Sequence, residues 1–173
     1  GMIFQEPISA LNPVFTIEAQ IIAAIRAHQK ITKAEAYSRA IELLRLVGIP
    51  DPESRLKFYP HQLSGGLAQR AMIAMALASG AKFLIADEPT TALDVTIQEQ
   101  IIQLIERLTR DTGLSVLFIS HDLGVVARLC RRVAVLYAGE VVEMGAAVQL
   151  LRDPLHPYTK GLLRCAPDFD DVG

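Results

Sequence analysis

The run from Phe83 to Asp94, FLIADEPTTALD, constrains this chain more than any other stretch. Four apolar residues, Phe83, Leu84, Ile85 and Ala86, lead straight into two adjacent carboxylates, Asp87 and Glu88. A short apolar run closed by a turn signal predicts a strand buried on both faces, as in a parallel sheet. Asp87 and Glu88 then stand at its carboxyl end, where open α/β sheets hold ligands. Pro89 stops the strand, and Thr90 to Asp94 make a polar turn before the next helix. Adjacent carboxylates repel, so a cation is the natural neighbour. A phosphate-bound Mg²⁺ meets that need, with one carboxylate in the metal shell and the other on a water. Taken alone, the same residues also suit a strand that ends in a solvated acidic turn.

Composition narrows the classes. The 173 residues suffice for one domain, or for one domain with an inserted subdomain, and 51% of them are hydrophobic, enough for a sizeable core. Charge is nearly balanced, 17 basic residues against 19 acidic, with no Lys/Arg run. A dedicated nucleic-acid binder should carry a basic footprint, so that class is disfavoured. Cys130 and Cys165 have neither CxxC spacing nor a disulfide framework. No apolar stretch approaches the roughly 20 residues of a membrane span, and no signal peptide is visible.

Read in order, the chain opens in mid-element, with Met2 to Phe4 as a strand end after Gly1. Gln5 is the first polar group beyond it, placed to reach a ligand from a loop, although a loop glutamine is commonplace. Ser9 to Pro13 is turn chemistry. Thr16 to His28 has helical spacing, and Thr32 with Glu35 forms a capping box for a second helix ending near Gly48. Pro50, Pro52 and Pro60 punctuate a linker. Ser64 then caps a helix over about 67–79, and Gly65 and Gly66 would let a ligand approach the backbone. The free N–H groups and dipole at that helix start suit an anion, though a mere cap has the same sequence. A helix over 95–109 follows the acidic turn. Ser115 to Ser120 reads as a second buried strand, with His121 and Asp122 at its tip. Arg132 to Tyr137 and Val141 to Met144 form an antiparallel hairpin. A helix over 146–151, the segment HPYTKGLL (His156 to Leu163) and an acidic tail from Asp168 to Gly173 complete the chain.

Four features in this order resemble the nucleotide-binding subunit of ABC transporters. They are Gln5 after a strand, LSGG at a helix start, a hydrophobic run into Asp-Glu, and His121 after another strand. In that family they are the Q-loop, the signature (Leu63 to Gly66), the Walker B strand with its glutamate Glu88, and the H-loop. Ala92, Leu93 and Asp94 match the D-loop. The segments FQEPISALNP, AQRAMIAMALA and HPYTKGLL look like the oligopeptide and dipeptide importers. Leu67 and Ala68 depart from the Met and Arg usual in that subfamily, and only Cys165 follows HPYT, where many such importers carry a cysteine-rich tail.

The resemblance implies an α/β fold of the P-loop NTPase, ABC type: an incomplete, mostly parallel sheet with an inserted α-helical subdomain. The expected partition is 1–5 for the core strand end and Q-loop, 6–80 for the helical signature subdomain, 81–145 for the core with Walker B and H-loop, and 146–173 for a C-terminal extension. Two subunits would sandwich two ATP molecules head to tail. Asp87 and Gln5 would hold Mg²⁺, while Glu88, His121 and Gln5 would act on the γ-phosphate and its water. Ser64, Gly65 and Gly66 would cap the ATP of the opposite subunit, with Asp94 coupling the sites. Expected partners are transmembrane permease subunits, a second ATPase subunit and, indirectly, a substrate-binding protein, with no nucleic acid. The expected place is the cytoplasmic face of the cell membrane, as a peripheral subunit that powers import of peptides or similar solutes.

One motif of the family is missing. None of the 11 glycines precedes a lysine, so these residues contain no phosphate-cradling GxxxxGK[ST]. By themselves they are expected neither to bind ATP tightly nor to hydrolyse it. In folds of this type the absent strand lies between the strands at 115–120 and 132–137. Those two are expected to close on each other or to be joined by another chain. Two other readings stay open: a non-catalytic module lending its signature in trans, and an ABC ATPase outside transport.

Overall fold

The computed structural model describes residues 1–91 and 93–165. Ala92 of the expected D-loop, and the acidic tail, lie outside the described residues. Two compact units divide the chain, Gly1–Ile119 and the residues from Ser120 onward.

In the first unit a parallel sheet has the order β1 (Met2–Ile3), β2 (Phe83–Asp87), β3 (Ser115–Ile119). Met2 pairs with Ile85, and Asp87 with Ile119. The helices between β1 and β2 are α1 (Pro7–Ala10), α2 (Ile17–His28), α3 (Lys33–Leu46), α4 (Pro52–Arg55) and α5 (Gly65–Ala78); α6 (Val95–Thr112) links β2 to β3. The two caps expected from sequence form: the Ser64 side chain accepts from the backbone N–H three residues on, and Thr32 with Glu35 closes a reciprocal box; Thr16 and Asp94 cap α2 and α6 in the same way as Ser64. α5 starts at Gly65, two residues before the expected start. The proline-punctuated linker holds α4 and a 3₁₀ turn (Pro60–Gln62), because proline is favoured in a first turn, where its missing N–H costs nothing.

The stripes of α2, α3 and α5 pack together, with Ile21, Ile25, Ala40, Leu44, Met72 and Ile73 each at most 1% exposed. A buried aliphatic side chain of this size contributes roughly 1.5–3 kcal/mol. On the sheet, Ile3, Leu84 and Ala86 join that core, and Val116 and Phe118 pack against it.

The opposite face differs from expectation. Neither β2 nor β3 is buried on both sides: Phe83 is 51% exposed and Leu117 49%, and Met2, Phe4 and Ile119 are exposed beside them. The residues have two-sided apolar character, but the described elements cover only one side. β3 and β4 belong to separate sheets, one in each unit. Pairing β4 with its hairpin neighbour needs only a tight turn, whereas joining β3 needs a parallel crossover in matching register.

The second unit contains α7 (Leu123–Leu129), the hairpin of β4 (Arg132–Tyr137) and β5 (Glu140–Ala146), α8 (Ala147–Arg152) and α9 (Pro157–Arg164). Ala138 and Gly139 turn the hairpin with φ of 50° and 84°, the positive pair that a tight two-residue turn requires. The HPYT segment is fastened to β5 by Glu143, whose carboxylate accepts from the N–H groups of Leu155 (2.8 Å) and His156 (3.1 Å). His156 Nδ1 then accepts from Tyr158 N–H, opening α9.

These contacts hold the Glu143 carboxyl below its ordinary range. The Leu155 N–H contributes most; the Thr159 hydroxyl, and then the His156 N–H and charge, add to it. A carboxyl depressed in the folded state adds stability above its unfolded pKa, and loses it as pH falls through the folded value. The thermal midpoint of Glu143→Gln is therefore expected below wild type at neutral pH, with the gap closing in acid. Calorimetric scans at stepped pH measure it; a gap that stays constant into acid contradicts the role of the charge. No helix among the described residues is long and apolar enough to cross a membrane.

Candidate functional site: the acidic turn after the second strand

The parallel register carries Asp87 to the carboxyl end of β2, level with Ile119. Glu88 follows in a left-handed conformation, φ 42°, unusual for a residue with a side chain. Its N–H donates to the Ile119 carbonyl at 3.0 Å, which anchors the turn to β3. Non-glycine residues in such regions carry about 1–3 kcal/mol of strain and gather at functional sites. The Glu88 carboxylate is gripped on Oε2 by two donors, Gln5 Nε2 at 3.3 Å and Thr91 Oγ1 at 2.8 Å. Gln5 and Glu88, 83 residues apart in sequence, thus lie within hydrogen-bond distance.

Two further residues shape this turn. Gln69 on α5 is fully buried and donates from Nε2 to the Pro89 carbonyl at 2.7 Å, tying the signature helix to the residue after Glu88. Thr91 and Gln69 were not singled out from sequence. The spacing Glu-Pro-Thr-Thr permits a hydroxyl to turn back on its i−3 carboxylate, and that was the available signal for Thr91. Nothing in the sequence marks Gln69.

At the start of α5, Ser64 Oγ accepts from Leu67 N–H at 3.4 Å. A Cβ placed on Gly66 would sit 2.7 Å from Ile97 Cγ2, and one on Gly65 would lie 3.6 Å from Leu93 Cδ2. These two glycines therefore abut the turn that leads into α6 and its first residues. A side chain at 66 would press on Ile97, while Gly65 has ordinary room. Asp94, at the end of that turn, spends one carboxylate oxygen on Ile97 N–H, 3.0 Å away. His121 belongs to the second unit, where it is exposed beside Asp122, whose carboxylate caps α7.

Chemically, the turn offers one carboxylate at a strand end, a second held by neutral donors, and an amide side chain within reach. Among the described residues no three His, Cys, Asp or Glu side chains gather into a metal cage. That donor set fits Mg²⁺, which keeps waters and phosphate oxygens in its shell and takes few protein ligands.

A parallel sheet ending in this acidic turn, with a Ser-Gly-Gly helix packed beside it, defines an ATP-binding cassette, and the chain belongs to the ABC transporter family. The model of that family, "ABC transporter", matches residues 1–91, and "Oligopeptide/dipeptide transporter, C-terminal region" matches residues 142–172. The dipeptide transport ATP-binding protein DppD of Haemophilus influenzae is 55% identical over 98% of this chain and 51% of its own length. The oligopeptide transport ATP-binding protein OppD of Bacillus subtilis is 54% identical over 100% of this chain and 48% of its own. The chain thus spans about half the length of these relatives. Among solved structures, the dimeric post-hydrolysis state of the ATP-binding cassette MJ0796, bound to ADP and Pi, superposes with TM-score 0.72 at 30% identity. That match covers 84% of this chain and 62% of the other.

Proposed function

We propose that this chain forms part of the ATP-binding subunit of an importer of peptides or similar solutes, at the cytoplasmic face of the membrane. The observation that carries the reading is the gripped Glu88, adjacent to Asp87 and held by Gln5 and Thr91. Asp87 and Gln5 would hold Mg²⁺, which when bound neutralises phosphate charge. Glu88 is oriented to take a proton from the attacking water, and Gln5 and His121 position that water and the γ-phosphate. Ser64, Gly65 and Gly66 present the α5 N-terminus to the nucleotide of a second, head-to-tail subunit, and Asp94 couples the two sites through the cap of α6. Phosphoryl transfer needs mainly positioning and electrostatic stabilisation, which these groups supply. Residues 6–80 form the subdomain that meets the permease, and a substrate-binding protein acts through that permease.

The test is ATP hydrolysis by the subunit assembled with its permease in vesicles, expected to rise when peptide-loaded binding protein is added. Co-purification with ribosomes or DNA in place of permeases would overturn the transport reading. The 173 residues alone, without GxxxxGK[ST], are expected to show no micromolar MgATP binding by calorimetry; a clear micromolar isotherm contradicts that expectation.

A further inference from the structure

α5 and α6 border an open groove of about 360 Å³, lined by Arg70, Gln100, Gln103, Glu106, Arg107 and Arg110. Every lining side chain is polar. Gln100, Gln103, Arg107 and Arg110 recur at helical spacing and share one face of α6. Arg70 reaches in from α5 and is held in place. One Nη donates to the Val47 carbonyl at 2.5 Å, at the end of α3, and the other to Gln100 Oε1 at 3.1 Å. Gly48 lies beside it with φ +76°, and a Cβ there would lie 2.8 Å from Arg70 Nη1. Two of the five guanidinium donors are thereby used, leaving three.

The charges in the groove are unevenly matched. Arg110 is paired with Asp111 at 3.1 Å, and Glu106 already has an interaction partner. Among the described residues neither Arg70 nor Arg107 makes an ion pair. Partial burial, and then the charge of Arg107, hold the Arg70 guanidinium below its ordinary range. Like charges on neighbouring helices repel, and an anion between them removes that cost while taking charge-assisted hydrogen bonds from both.

We propose that this groove binds a small oxyanion, the phosphate or carboxylate group of a small molecule, bridged by the guanidinium groups of Arg70 and Arg107. The Gln100 amide nitrogen adds a neutral donor. None of the residues of the acidic turn lines this groove.

The experiment is a ¹⁵N-detected NMR titration of the full chain with sodium phosphate and, separately, with sodium citrate, ionic strength being held constant with chloride. Saturable shifts of the Arg70 and Arg107 Nε–H and Gln100 side-chain signals are expected in at least one titration. Saturation by phosphate alone identifies a phosphoryl ligand, by citrate alone a carboxylate, and by both a general oxyanion site. Arg107→Gln, an exposed change that leaves the fold intact by circular dichroism, should weaken binding about tenfold or more. Arg39→Gln, at an exposed arginine paired with Glu42 on α3, should leave it unchanged. The proposal is overturned if neither anion saturates, or if Arg39→Gln weakens binding as much as Arg107→Gln.

Discussion

Glu88→Gln is expected to lower ATP hydrolysis by the assembled subunit about 10²–10⁴-fold, the usual contribution of a positioned general base, while MgATP binding persists. The geometry makes the change a clean one. Glutamine keeps the length of the side chain, and its amide oxygen can still accept from Gln5 and Thr91, which grip Oε2 in the wild type. The backbone of the turn is fixed independently, through the Glu88 N–H on the Ile119 carbonyl and the Pro89 carbonyl on Gln69. What is lost is the negative charge and with it the capacity to take a proton. Single-turnover hydrolysis and equilibrium nucleotide binding, measured on the same preparation, separate the two effects. Loss of binding together with hydrolysis would show that Glu88 shapes the nucleotide site, and undiminished hydrolysis would remove it from the chemistry.

Much of this turn was legible in the sequence, because each of its parts has a local signature. The run FLIAD ends a strand in acid, Ser64 is a cap residue, and the order of Gln5, LSGG and Asp-Glu suffices to name the family. The left-handed Glu88 was not legible, since proline at 89 signals a turn without fixing the φ before it. Gln69 escaped for a different reason. It lies one residue from Arg70 on the same helix, and only the packing decides that one turns inward to Pro89 and the other outward to Val47 and Gln100. Strand burial failed in the opposite direction. FLIAD and SVLFI are apolar on both faces, but periodicity reports what a strand tolerates and not what covers it, so the open side at Phe83 and Leu117 could not be foreseen. The short helix at Pro52 was hidden by reading proline as punctuation, although proline is favoured in a first turn.

Gly66→Ala is expected to destabilise the fold by about 1–3 kcal/mol, the range for forcing extra volume into a packed site, although alanine is the better helix former. The added Cβ would stand 2.7 Å from Ile97 Cγ2, an atom on a branched side chain with little freedom to retreat. Gly66 has no positive φ, so nothing in its own backbone asks for glycine. The sequence suggested another reason for it, close approach of a ligand to the helix start, and stability separates the two. Urea denaturation of wild type, Gly66→Ala, Ile97→Ala and the double variant gives the coupling between the positions. If packing demands the glycine, Gly66→Ala destabilises the wild-type background and is neutral or stabilising once Ile97 has been cut back to alanine. If Gly66→Ala stabilises the chain even with Ile97 in place, α6 yields to the new methyl group. Ligand approach would then be the surviving reason for glycine in the signature.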